Sequence, residues 1–392
     1  MECVAATEEE ILERALSLRP VLRERAAQAE LSRRLPEETY RAFQEAGFFK
    51  IMQPRRYGGL ELDFGVQTAL GIELGRACGS SAWVATLLAC HAWIGGMFPG
   101  TAQEEIWGRN PNAVIATSFL SERTDVARAP GGGWRLSGRW KMSSGVDYCD
   151  WIILLASVPG PDHSHSLFCL LPRSDWRVED TWFATGLAGT GSNDVIVDDA
   201  LIPDHRTLDA GSLKGGPTPG SEVNDGYLYR QPLYGTFSFN LVGNAIGLAR
   251  GVAEAIVDGL RQQTAVTGGQ VAANQSIQLR VAEALAEIDA AYALVFRNRA
   301  EVVRDGKAGQ VPDLETRARY RRDNGFATQL CVRAVNRLCP IQGARGLSAD
   351  NPVQRAWRDI HAVAQHIALT WDIQGTLHGT VALGLPCPDP RL

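Results

Sequence analysis

The chain has 392 residues, of which 45% are hydrophobic and 21% charged, and a formal net charge of −5. That length can bury a large core in roughly two or three structural units of an ordinary globular protein. The charge gives no footing for nucleic acid or an anionic membrane; no apolar run approaches a membrane span, and Met1 to Glu10 lacks the basic start and apolar centre of a signal peptide.

Eight cysteines are scattered with no C-x-x-C pair, which reads as reduced, buried thiols in a cytoplasmic protein. Glu8 to Leu35 sets Ile11, Leu12, Leu16, Leu22 and Ala26 against a charged face, the period of an amphipathic helix. Pro36-Glu37-Glu38 starts a second helix, with proline and acidic groups in its first turn, that ends at Gly47. A loop follows at Pro54 to Gly59. Helices are expected at Phe64 to Cys78 and Ser81 to Phe98; the second is apolar nearly all round and so should be buried, with His91 on it.

Ala113 to Phe119 reads as the first strand of a β unit, with Ser118 near its end. Short β-branched and apolar runs separated by Gly, Pro, Asp and Ser continue it past Ile152 to Ala156 and Leu167 to Leu171. His163 and His165 lack cysteine or acidic partners at ligand spacing and read as an exposed turn, so no metal is expected. Ala210 to Asp225 is rich in Gly, Pro and Ser and reads as a linker or mobile loop. Four long helices follow, at Phe237 to Ala265, Asn274 to Asp305, Asp313 to Leu338 and Asn351 to about Leu369, implying an up-down bundle. The first carries Leu241, Val242, Ala245, Ile246, Leu248, Ala249 and Val252, an apolar surface too wide for one partner face, so a homodimer or homotetramer is expected. The chain divides into an N-terminal helical domain at 1–111, a central β-domain at 112–209, a linker at 210–226 and a helical bundle at 227–392, an α+β architecture.

Two motifs in the β unit carry the chemistry: Ser143-Ser144-Gly145 and Thr190-Gly191-Ser192. Glycine lets backbone approach a planar ring or a phosphate, and the hydroxyls bond in both directions. Each motif alone also suits a hydroxyl-capped turn. A third segment, Gln354 to His366, holds two histidines; His361 and His366 lie five apart, offset by about 140° on a helix, and cannot share a face squarely. No G-x-G-x-x-G after a strand, Walker loop, HExxH or GxSxG elbow is present.

Trp140 to Trp151, Thr181-Trp182 and Gly186 to Val195 resemble the acyl-CoA dehydrogenase superfamily, and most closely its reduced-flavin-dependent aromatic monooxygenases, such as the p-hydroxyphenylacetate and steroid seco-phenol hydroxylases. The resemblance runs from about Leu31 to His378 and includes the Tyr57-Gly58-Gly59 connection. It implies the acyl-CoA dehydrogenase-like fold, reduced FMN or FAD supplied by a separate flavin reductase, a C4a-hydroperoxyflavin, a small aromatic substrate and a homotetramer with flavin sites completed across subunits. Ser143 is implied as the contact to flavin N5 with Ser144 second, Thr190 and Ser192 as ring or chain contacts, and Arg261 as a phosphate contact from a neighbouring subunit. His91 and Ser118 are implied at the substrate. His366, seven residues after the Arg358-Asp359 pair, is implied as the base that takes a phenol's proton, or else as the group that holds the hydroperoxide.

The chain departs from the pattern at Ala188, where relatives often carry arginine, and after Arg261, where the usual Phe-Gly is missing. Dehydrogenases often carry a catalytic glutamate in the stretch where this chain has histidine, and Gln374-Gly375-Thr376 lies too far on to replace it. The alternatives are an amino-sugar N-oxygenase on the same scaffold, a dehydrogenase-like flavoenzyme, and a degenerate binding scaffold.

Overall fold

The computed structural model describes residues 6–158, 165–264 and 268–392. His163 and the expected helix end at Ala265 lie outside them. Five helices come first: α1 (Glu8–Ser32), α2 (Glu37–Glu45), α3 (Phe64–Gly75), α4 (Gly79–Gly95) and α5 (Gly100–Trp107). Thr7 and Glu10 close a reciprocal capping box on α1. Every residue of α4 is buried, as its all-round apolarity requires.

Eight strands follow: β1 (Ile115–Ser118), β2 (Leu120–Arg128), β3 (Trp134–Ser143), β4 (Trp151–Val158), β5 (His165–Pro172), β6 (Arg177–Glu179), β7 (Asn193–Ile202) and β8 (Thr207–Asp209). They form two four-stranded sheets, ordered β1-β4-β5-β8 and β2-β3-β7-β6. Among the described residues only the β1–β4 pair is parallel; the other strand pairs are antiparallel. His165 opens β5 rather than lying in a turn.

Between the sheets and the bundle, 210–225 is an ordered strap rather than a mobile linker. Ala210, Leu213, Thr218, Gly220, Ser221 and Asn224 are buried. Thr218 and Ser221 cap each other, and the Asn224 amide donates to Gly96 O (2.9 Å) and Gln103 Oε1 (3.0 Å). Its Gly and Pro content thus serves tight turns against α5, not looseness.

The C-terminal helices are α6 (Leu233–Thr236), α7 (Phe239–Gln262), α8 (Gln275–Lys307), α9 (Leu314–Leu338), α10 (Pro352–Ala364) and α11 (Trp371–Ala382). The apolar face of α7 does not need another subunit: Leu241, Val242, Ala245, Ile246, Leu248, Ala249 and Val252 are all buried within this chain, where α7 packs against α3, α4, α9 and α10. Width alone misled because a helix at the centre of a domain is apolar on several sides. α10 also stops earlier than its pattern suggests, at Ala364. The Thr370 hydroxyl reaches back to the carbonyls of Ala364 (3.2 Å) and His366 (3.0 Å), satisfying groups a helix end leaves unpaired. His366 therefore sits in the turn before α11, not on a helix.

Candidate active site

β3 does not run straight into its first hydroxyl motif. Its register against β7 shifts between Trp140 and Ser143, and Met142 takes a left-handed φ of 59°. A bulge of this kind re-aims side chains: Met142 is 57% exposed, while Ser143 is wholly buried. The Ser143 hydroxyl donates to the carbonyl of Thr117 on β1 at 3.0 Å.

The remaining hydroxyls form one chain. Trp83 Nε1–H on α4 donates to Ser144 Oγ (3.1 Å), Ser144 meets Ser192 (2.7 Å), Ser192 meets Thr190 (2.7 Å), and Thr190 Oγ1 donates to Leu187 O (2.8 Å). An indole N–H can only donate and a carbonyl only accept, so every proton in the chain points the same way, from Trp83 toward Leu187. Each serine and threonine oxygen has given its proton to the next group and is left able to accept. Gly145, at φ 67°, donates its N–H to Thr190 O (2.8 Å) and lies against Val84 of α4, where a Cβ would come within 2.9 Å. Both sequence motifs are thereby brought together at the edge of α4.

His366 joins this cluster through Trp83, whose ring stands edge-on to the imidazole at 5.4 Å; Phe237 stacks on it at 6.2 Å. These rings desolvate the imidazole, lowering its pKa to about 4. Nδ1 accepts the backbone N–H of Ala368 at 3.2 Å, so the neutral ring carries its proton on Nε2. His361 faces elsewhere, its Nδ1–H bonded to Trp357 O at 2.7 Å. His91 is buried with both nitrogens engaged: Nδ1–H donates to Ile115 O (2.9 Å) and Nε2 accepts from Thr117 Oγ1 (2.8 Å). Burial lowers its pKa to about 4. In this arrangement His91 is a satisfied interior histidine, with Thr117 standing in front of it. The Ser118 hydroxyl is committed to Lys141 O (2.6 Å). Arg261 lies in the last turn of α7, exposed and paired with Asp258 (3.1 Å), outside the cluster formed by this chain.

The turn that ends the hydroxyl chain is clamped to α10. Arg358 donates to Thr185 O, and Asp359 Oδ1 accepts Leu187 N–H at 2.6 Å. Gly186 passes so close that a Cβ would lie 2.3 Å from Arg358 O. Trp83, Thr117, Leu187 and Asp359 were given no role from the sequence. An indole or an aspartate in a helix gives no signal by itself, and only the cross-chain hydrogen bonds reveal these four.

Two sequence families match this chain: "Acyl-CoA dehydrogenase, N-terminal domain" over residues 8–99 and "Acyl-CoA dehydrogenase, C-terminal domain" over residues 240–371. The oxygenase component of the FADH(2)-dependent resorcinol hydroxylase of Rhizobium sp. is 37% identical, over 95% of this chain and 93% of its own. The chain belongs to the acyl-CoA dehydrogenase superfamily, in its flavin-dependent oxygenase branch. The crystal structure of 3-HSA hydroxylase from Rhodococcus sp. RHA1 superposes with a TM-score of 0.92 at 32% identity, covering 98% of this chain and 99% of that one. XiaF from Streptomyces sp., solved with FADH2 and glycerol, gives 0.89 at 26% identity, covering 98% of each.

For a member of this superfamily, the residues present fit a flavin. An open groove of about 580 Å³ adjoins the hydroxyl chain at Ser192, walled by Met142, Trp182 and Phe183 with Lys141 at its side. Apolar walls, two of them aromatic, beside the Ser192 acceptor at the end of the groove suit a reduced ring carrying N–H groups. The groove's cations are already partnered, Lys141 by Glu122 (3.2 Å) and Arg139 by Asp194 (2.8 Å), so little net attraction is left there for an anionic side chain. No carboxylate stands where His366 does. Asp372 is exposed on α11, and buried Gln374 ties Arg321 Nε (2.7 Å) to Ile367 O. Among the described residues no helix is long and apolar enough to cross a membrane, and no cluster of three or more His, Cys, Asp or Glu could hold a metal.

Proposed function

We propose that this chain is the oxygenase component of a two-component monooxygenase that hydroxylates an aromatic, phenolic or polycyclic small molecule with reduced FMN or FAD supplied by a separate reductase. The observation that carries this reading is the meeting of Ser143, the Trp83-to-Leu187 hydroxyl chain and His366 in a chain of this family. The bound reduced flavin supplies the electrons that activate dioxygen, one oxygen atom going to the substrate and the other leaving as water.

The chain's own residues do the rest. Ser143, its proton committed to Thr117 O, offers its oxygen to a ring N–H, and Ser144, Thr190 and Ser192 add acceptors beside it. His366 presents Nε2–H to the oxygen being transferred. In this tautomer Nε2 has no lone pair for a phenol's proton, which favours the holding role over the base. Trp83 and Phe237 keep water from that position. His91 reaches a substrate only through Thr117, whose hydroxyl it orients, and Ser118 lines the same strand end.

The chain works as a homotetramer. In support, Leu285 of α8, Phe326 of α9, Ile373 of α11 and Leu385 beyond it remain exposed, and Arg261, exposed and paired only at the surface with Asp258, is placed to exchange that partner for a flavin phosphate of another subunit. The division at 1–111, 112–209, 210–226 and 227–392 is supported by the strands lying between Ile115 and Asp209. A cytoplasmic setting is supported by the free state of every cysteine among the described residues.

The test is anaerobic titration with reduced FMN and with reduced FAD, then admission of oxygen with a panel of phenols. Saturable binding of one flavin and a product heavier by one oxygen are expected. Binding of neither flavin would reject the reading.

A further inference from the structure

We propose that Asp359 is a positioning residue for the flavin-facing hydroxyls, holding the Leu187 turn against α10 so that the Ser144–Ser192–Thr190 acceptors stay in line. The inference rests on the function proposed above. Asp359 is 4% exposed, on the inward face of α10, and accepts Leu187 N–H at 2.6 Å. Leu187 takes a left-handed φ of 52°, a conformation that side chains other than glycine's rarely adopt and that surrounding bonds must hold. Its carbonyl collects three donors: Thr190 Oγ1 (2.8 Å), Thr190 N (3.1 Å) and Trp182 Nε1 (3.0 Å). One residue thus links α10, through its N–H, to the end of the hydroxyl chain and a wall of the groove, through its C=O.

The same carboxylate also reaches the chain's beginning. Its Oδ2 lies against Gly79 in the first turn of α4, where a Cβ would come within 2.8 Å, and Trp83 follows one turn later. The neighbouring arginines are occupied elsewhere, Arg355 and Arg358 pairing with Glu30. Asp359 therefore bonds a backbone N–H and packs against the start of α4 rather than forming an ion pair. It touches no group assigned to cofactor or substrate, so its effect passes through Leu187.

Two readouts on Asp359→Ala and Asp359→Asn test this. Hydrogen exchange of the flavin-free protein, followed by mass spectrometry over Gly186 to Asn193, reads the turn directly. Anaerobic titration with reduced FAD and reduced FMN reads its consequence. Losing a charge-assisted bond should speed exchange in that segment about tenfold, leave α7 unchanged, and weaken reduced-flavin binding about tenfold in D359A. D359N, which keeps an acceptor oxygen for Leu187 N–H, should stay within about threefold of wild type in both. Wild-type exchange in D359A, wild-type flavin affinity despite faster exchange, or D359N as impaired as D359A would each overturn the proposal. Should D359A not fold, Asp359→Ser, whose hydroxyl is too short to reach Leu187 N–H, takes its place, and wild-type flavin affinity there would overturn it too. A wild-type protein that bound no reduced flavin would instead reject the proposed function, while the exchange arm still judged Asp359.

Discussion

The backbone N–H of Ala368 meets Nδ1 of His366 at 3.2 Å, and that bond decides what the imidazole can do. With Nδ1 accepting, the ring's proton sits on Nε2, and packing against Trp83 and Phe237 keeps the ring neutral down to about pH 4. A glutamine amide can imitate an Nε2–H donor but cannot act as a base. His366→Ala should therefore lower product per flavin oxidised about tenfold or more, and His366→Gln should recover a large part of it. Reduced-flavin binding should change little in either. The wild-type hydroxylation rate should show no titration of an imidazole near pH 6.5. Gln as inactive as Ala, with a rate rising through that pH, would restore the base role.

Ser143 is turned inward only because Met142 absorbs the bulge in β3. Ser143→Ala removes the acceptor proposed for the ring N–H and leaves Thr117 O without its donor. Loss of one such hydrogen bond corresponds to about fivefold, so the ratio of hydrogen peroxide to hydroxylated product should rise several-fold. Unchanged peroxide yield would mean that another group holds that face of the ring.

Burial raises the Asp359 carboxyl to about 6, with Leu187 N–H, Arg358 and Arg355 pulling it down and Glu30 pushing it up. The folded state thus holds this proton more tightly than the unfolded chain, and the stability it contributes is complete below about pH 4 and lost as pH rises through about 6. Asp359→Asn should then stabilise the protein at pH 8, by roughly 1–3 kcal/mol, and have almost no effect at pH 4. His91 works in the opposite sense: its pKa is lowered to about 4, and its contribution is lost as pH falls from about 6.5 toward 4. Denaturant unfolding of both proteins at the two pH values measures the difference. An equal effect of D359N at both would contradict the assignment.

No strand in either sheet leads into a dinucleotide-binding glycine motif. With catalytic flavin alone, the purified protein should not oxidise NADH in steady state, and adding any NADH:flavin reductase should start turnover. Steady NADH consumption without one would remove the two-component reading.

Much of the site could be read from residue order because it is built from local motifs. Ser143-Ser144-Gly145 and Thr190-Gly191-Ser192 announce themselves as hydroxyls beside glycine, and the structure joins them by 2.7 Å contacts. What stayed hidden depends on partners distant in sequence. Trp83 and Asp359 look like any helix residues until Ser144 and Leu187 arrive from the β-domain. Thr117, next to the serine singled out, proves to be the residue between His91 and Ser143. The end of α10 was missed because Thr370, which caps it, carries no proline or glycine signal. The strap at 210–225 was misjudged because its turn-forming composition is shared by ordered and loose segments alike.

The most direct measurement is a single turnover under ¹⁸O₂. The protein is mixed anaerobically with chemically reduced flavin and a phenol, without reductase, and oxygen is then admitted. The account predicts one ¹⁸O atom in the new hydroxyl group of each product molecule, in a yield that His366→Ala reduces. Product whose new oxygen comes from water, or flavin oxidation that yields only hydrogen peroxide with every aromatic offered, would contradict it.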